Sequence, residues 1–197
     1  MRTILALPAT FLFLLPHWRP AAESPAQGSE QMEAAMAKVA AIVQPGPSHE
    51  LLGRFLGKWK AELGMSMGGP ATTTSGSIEF TWLMEGRWLQ SSWSTSMMGM
   101  PLISHAWLGY DNFKQSFVTT QVSSMDTAMI RLEGDLDPGG KTLILYGTLD
   151  EYLTGEHDKM IKNVWRFLSE KEMILEVHDL PIGEQNTKVF EVRMTRE

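Results

Sequence analysis

The stretch Trp59-Lys60-Ala61-Glu62-Leu63-Gly64-Met65-Ser66-Met67 sets an apolar side chain at every odd position, with Lys60, Glu62 and Ser66 between them. Successive side chains on a strand point to opposite faces, so this pattern predicts a strand with one buried side. The same alternation recurs along the chain. Ile78, Phe80 and Trp82 stand against Ser77, Glu79 and Thr81, and Ile130 and Leu132 against Arg131 and Glu133. Asp137-Pro138-Gly139-Gly140 turns the chain into Leu143 and Leu145. Met173, Leu175 and Val177 alternate with Ile174, Glu176 and His178, and Phe190, Val192 and Met194 with Glu191, Arg193 and Thr195. About ten such segments follow one another from Arg54 to Arg193, joined by short turns. That order predicts an all-β fold: an antiparallel up-and-down barrel over residues 49–197.

The middle segments break the alternation. One face of Trp88–Ser96 carries Leu89, Ser91, Trp93 and Thr95; the other carries Trp88, Gln90, Ser92 and Ser94. Leu102–Tyr110 and Phe117–Ser123 mix His105, Thr119 and Gln121 with apolar neighbours. A solid core would not select such polar side chains, whereas a cavity that takes a ligand is apolar with a few placed polar groups. The candidate ligand-binding residues are therefore Trp93, Trp107 and Trp165 for apolar contact, with Gln90, Ser92, His105 and Gln121 to orient the ligand. Face assignment is fragile here, because a one-residue slip inverts it.

Ahead of the barrel the chain changes character. Arg2 precedes the apolar run Ile4–Leu15, which is shorter than the roughly 20 residues needed to cross a bilayer. Residues 1–22 thus read as a secretory signal peptide, with cleavage as late as residue 26, and predict a secreted or periplasmic protein. Residues 23–48 form a lead followed by a helix. Ser29 would cap Glu30–Val43, whose Met32, Met36, Val39 and Val43 recur at helical spacing, and Pro45-Gly46-Pro47 would end it. Ser48 is placed to cap a second short helix. The first helix offers a face for a homodimer.

Across 197 residues, the formal charge is -6 and there is no cysteine. An acidic chain without a basic cluster is unsuited to nucleic acid, and without thiols it forms no disulfide or thiolate metal site. No span long enough for a membrane follows the leader.

Gly57-Lys58-Trp59 resembles the G-x-W opening of the calycins. Together with Pro45-Gly46-Pro47-Ser48-His49, Gly86-Arg87, Gly109-Tyr110-Asp111-Asn112 and the terminal Arg193-Met194-Thr195-Arg196, it makes the chain similar to the DUF1579 family from about His49 to Arg196. The resemblance implies a calycin-like barrel and no established activity. It also implies that Trp59 packs under Arg196 or Arg193 to close the base of the barrel. Family members have a Trp-Ile-Asp-Ser-like stretch after the Gly-Tyr-Asp-Asn strand; here Gln121-Val122-Ser123-Ser124-Met125-Asp126 departs from it.

Catalytic signatures are missing: the sequence has no G-x-S-x-G, no H-E-x-x-H and no phosphate loop. Two cofactors make distinct demands on the residues. Haem binding, as in the similar nitrobindin barrels, would need His105 or His178 to face inward, and Ala61 stands where that family's opening has a second glycine. Cu(I) would need thioethers such as Met65, Met67, Met97, Met98 and Met100. Asp150, Glu151, Glu156, His157 and Asp158 flank one turn, as solvated hairpin tips do. The reading these features favour is a non-catalytic binding barrel for a small apolar or amphipathic molecule, with no cofactor. A barrel filled by its own side chains is the alternative.

Overall fold

The computed structural model describes residues 25–65, 72–97, 99–151, 154–180 and 187–197, and the leader and Met67 and Met98 lie outside them. Two units are distinguished, residues 1–41 and 42–197. In the first, helix α1 (Pro25–Val43) begins at a proline, five residues before the expected start. Proline is tolerated at the first helical position, where its missing N–H has no partner to lose, so Ser29 falls inside the helix instead of capping it. Met32, Met36 and Val39 are exposed. Among the described residues no helix is long and apolar enough to cross a membrane.

The second unit is a closed barrel of ten antiparallel strands, each paired with its neighbours in the chain and the first with the last. They are β1 (Gly57–Met65), β2 (Thr72–Met84), β3 (Trp88–Met97), β4 (Met100–Asp111), β5 (Ser116–Ser123), β6 (Met129–Leu136), β7 (Thr142–Glu151), β8 (Glu156–Phe167), β9 (Glu172–Asp179) and β10 (Thr187–Arg196). Closure leaves no free sheet edge. The β1–β10 register pairs Trp59 with Arg196 and Leu63 with Val192. Alternation therefore turns Trp59, Ala61 and Leu63 inward all the way round.

A plug fills one end. Helix α2 (Pro47–Glu50) runs into a 3-10 turn (Leu51–Arg54), and Leu51, Leu52 and Phe55 are buried. The Phe55 ring lies 5.4 Å from Phe80, 5.2 Å from Trp165 and 5.1 Å from Phe167. Ser48 does not cap this helix. Gly46 is the cap, and its N–H donates to His49 Nδ1 at 3.0 Å, so an imidazole does the work expected of a hydroxyl.

The quoted motifs gather at this plugged end. Asn112 Nδ2 donates to the carbonyls of Ile42 (2.9 Å) and Gln44 (2.7 Å), and Arg87 donates to the carbonyl of Val43. Asp111 Oδ1 accepts from the N–H groups of Phe113 and Lys114 and shapes the turn. A side chain at Gly109 would meet the Trp88 ring at 2.4 Å, so glycine there makes room for the indole. Together they fasten the segment that leads into the plug.

Candidate functional site: a half-hollow barrel

Burial divides the interior into two layers. Next to the plug, Trp59, Leu89, Leu132, Leu143, Leu145 and Met194 are almost wholly enclosed. This is a solid apolar core. Farther from the plug the inward positions become Ser104, Gln121, Ser123 and Asn163, set among Leu63, Leu102, Leu175 and Val192. Here the side chains do not meet, and they leave a partly open cavity of about 220 Å³. The broken alternation of β3, β4 and β5 has its cause in this change from filled to hollow.

The register fixes each face. Trp93 pairs with Ile78 and with Ser104, and Ser104 with Ser123, so all four share the inner wall. Gln121 pairs with Ile130 on the same wall. Asn163 pairs with Val177, which also lines the cavity. Met97, Met125 and Asp126 lie towards the end opposite the plug. The stretch that departs from the family pattern thus supplies Gln121, Ser123, Met125 and Asp126 to the cavity wall.

Two polar atoms in this wall are buried without a partner: Nε1 of Trp93 and Oδ1 of Asn163. The first can only donate and the second only accept. Asn163 is 8% exposed and Ser104 5%. Burying a polar group without a hydrogen bond costs about 1–3 kcal/mol on protein scales, so a partner for either atom would be stabilising.

The expected ligand residues are split by the geometry. Trp93 and Gln121 line the cavity. Gln90, Ser92, His105 and Trp107 stand on the outer wall, in a shallow groove with Glu79 and Thr81, where Gln90 Nε2 donates to Thr81 Oγ1 at 3.2 Å. The physical reason is the pleat: Gln90 pairs with Trp107 and Ser92 with His105, one residue out of phase with Trp93. Trp165 faces inward but belongs to the core layer, edge-on to Phe55. Asn163, Ser104 and Ser123 were not anticipated. Asn163 had a usable signal, being a carboxamide between Ile161 and Trp165 on an otherwise apolar face.

At the plugged end, the Arg196 guanidinium lies 4.2 Å from the Trp59 ring centre. Arg193 is elsewhere, on the outer wall 2.7 Å from Glu191.

The histidines do not fit a haem ligand set. His105 and His178 are on the outer wall, by their pairing with Ser92 and Lys162. His49 is held in the plug, where burial pushes its pKa below the usual histidine value. Burial, then the nearby Lys162, does the same to His178. Met65 and Met97 face the same side of the barrel end, and the other thioethers include Met67 and Met98, outside the described residues. Among the described residues no group of three His, Asp or Glu side chains is arranged to hold a metal. Asp150 Oδ1 instead accepts from the Asp158 N–H at 3.2 Å and contacts His157 Nδ1 at 3.1 Å, which ties the hairpin end together.

Comparison with known proteins supports the same barrel. The crystal structure of Rv2717c from M. tuberculosis superposes with a TM-score of 0.60 at 12% identity, covering 78% of this chain and 99% of that one. A redesigned β-barrel, b11L5F_LGL, gives 0.40 at 9% identity, covering 75% of this chain and 95% of that one. EF1p2_mFAP2b bound to DFHBI gives 0.40 at 8% identity, with 76% and 98% covered. No curated protein matches significantly. The model of a family described as a protein of unknown function, DUF1579, matches residues 44–196, which contain the plug, all ten strands and the Trp59–Arg196 closure. The chain belongs to the DUF1579 family.

Proposed function

We propose that this barrel is a non-catalytic binding protein that takes a small, mostly apolar molecule into its hollow half, and that it works outside the cytoplasm after its leader is removed. The observation that carries this reading is the cavity itself, about 220 Å³ inside a closed ten-strand barrel, walled by apolar side chains with Ser104, Gln121, Ser123 and Asn163 among them. An apolar wall supplies affinity in proportion to the area it covers, about 25 cal/mol per Å². The polar side chains in that wall supply orientation. Catalysis is not favoured, because general acid–base work needs converging titratable groups, and Asp126 is the one ionisable side chain among the lining residues.

Native mass spectrometry of protein purified from an exporting host tests this. A non-covalent adduct on the unaltered protein, absent from a Ser104→Phe variant that folds normally by circular dichroism, is the expected result. An adduct that survives the substitution would place binding elsewhere. A bare mass, with no uptake of indole when it is added, would overturn the reading.

A further inference from the structure

We propose that Gln121 is the residue that reads the ligand, and that it selects an uncharged small molecule with an amide edge: a primary amide, a lactam or a urea. This rests on the binding role argued above and goes further, to the chemistry of the occupant.

Side-chain size places the hollow. Register carries one inward row from Phe80 through Ser91, Ala106 and Gln121 to Ile130. The next row runs from Ile78 through Trp93 and Ser104 to Ser123. Around Gln121 the inward neighbours on β3, β4 and β5 are thus small at Ser91, Ala106, Ser104 and Ser123. Gln121 is the long polar side chain of this wall, and it lines the space its neighbours leave.

The other polar groups of the cavity are committed elsewhere. Ser123 Oγ accepts from the Met125 N–H at 3.2 Å, and Asp126 Oδ1 from the Ala128 N–H at 3.0 Å, so both hold the turn after β5. Oδ1 of Asn163, on β8, is sealed inside the wall. Among the described residues, the side chains of Ser104 and Gln121 make no hydrogen bond, and their polar atoms are not sealed. They stand one diagonal step apart on neighbouring strands, because Ser104 pairs with Ser123.

A carboxamide presents a donor N–H and an acceptor oxygen side by side. The edge that matches both is another amide with its N–H on the same side as its oxygen. Its N–H meets Gln121 Oε1 and its oxygen meets Gln121 Nε2, which leaves a second lone pair for the Ser104 hydroxyl. A ketone supplies the acceptor alone, and the Gln121 oxygen then loses water without gaining a donor. A hydrocarbon supplies neither. In the closed order of strands β9 and β10 lie opposite β4 and β5, and there Leu175, Val177, Phe190 and Val192 receive the apolar body. A dry cavity of about 150 Å³ accepts benzene, so about 220 Å³ suits one ring with a short substituent.

Benzamide, acetophenone and toluene are matched probes, titrated by calorimetry into the protein. Benzamide and acetophenone differ only in an amino group where the ketone has a methyl. Benzamide is expected to bind about fivefold or more tighter than acetophenone, because the ketone leaves an acceptor without its donor. This comparison in the unaltered protein decides the ligand class without any variant. In Gln121→Met, which keeps an unbranched chain, the preference should vanish while toluene still binds, and toluene binding shows that the cavity is kept. Ser104→Ala should weaken benzamide and acetophenone alike, since each offers the hydroxyl an oxygen. Acetophenone binding as tightly as benzamide overturns the amide selectivity, and a preference that survives Gln121→Met overturns the assignment to Gln121. Failure of all three probes overturns the cavity reading itself.

Discussion

Arg196, the last residue of β10, stacks its guanidinium 4.2 Å over the ring of Trp59, near the start of β1. The same guanidinium donates to the carbonyls of Arg54 (2.8 Å) and Glu170 (2.9 Å), and to that of Leu56. Trp59 Nε1 in turn donates to the Phe55 carbonyl at 2.7 Å. One planar cation thus joins the end of the chain to the plug, and the plug to the first strand.

Arg196→Ala should therefore destabilise the barrel by about 2–4 kcal/mol, since it frees several backbone carbonyls and uncovers the indole. Arg196→Lys should recover little, because a lysine lacks the flat, forked donor set that reaches several carbonyls at once. Urea unfolding followed by circular dichroism measures both. Full stability in the lysine variant would show that charge alone matters here.

Close backbone approach on the far wall makes a second prediction. A Cβ at Gly134 would lie 2.0 Å from the Ile144 carbonyl oxygen, and one at Gly147 2.1 Å from that of Arg131. Both sit in the β6–β7 pair, where no flexible side chain can yield. Gly134→Ala should prevent normal folding or cost more than about 3 kcal/mol. Gly64→Ala, whose nearest atom would be 3.7 Å away, should be tolerated. Soluble yield and melting temperature of the two variants decide it.

The plug makes stability depend on pH. His49 is buried, accepts a hydrogen bond from the Gly46 N–H, meets the edge of Tyr110 at 5.6 Å, and has Arg87 nearby. Burial comes first among the causes that depress its pKa, and Arg87 adds to it, while its contact with the Tyr110 backbone opposes the shift. The folded protein then binds a proton at His49 less readily than the unfolded chain does. Stability is full above the unfolded histidine pKa of about 6.5 and falls as pH drops through the lower folded value. His178 is shifted the same way and adds the same sign. Melting temperature should decline from pH 7.5 to 5.5 in the unaltered protein. The decline should be shallower in His49→Gln, and an identical slope would remove His49 from this role.

How much of this was legible beforehand differs between the two halves of the barrel. Where the interior is solid, as at Trp59 and Ala61, inward positions are apolar and outward ones charged, so the face can be read residue by residue. Where it is hollow, Ser91 and Trp93 point in while Ser92 and Trp107 point out. Serine and tryptophan then occur on both faces, and composition no longer separates them. The inside is settled by register, propagated from Ile78 across to Trp93 and Ser104, and register is a property of several strands at once. Ser48 failed as a cap for a related reason: a hydroxyl has the right chemistry, but Gly46 and His49 already close the turn.

That ambiguity can be tested with the two tryptophans it confuses. Trp93 lines the cavity with its Nε1 buried and unpartnered; Trp107 lies in the outer groove, opposite Gln90 and Thr120. Trp107→Ala should leave the affinity for a small apolar probe such as toluene within about twofold, since no cavity atom changes. Trp93→Ala should change that affinity about tenfold or more, because it removes an indole from the cavity wall, and its core neighbours should still hold the barrel closed through Trp59 and Phe55. Calorimetric titration of toluene into the two variants separates the cases, with the affinity kept in Trp107→Ala and altered in Trp93→Ala. The reverse pattern would mean that β3 and β4 are slipped by one residue, with His105 and Gln90 facing the ligand after all.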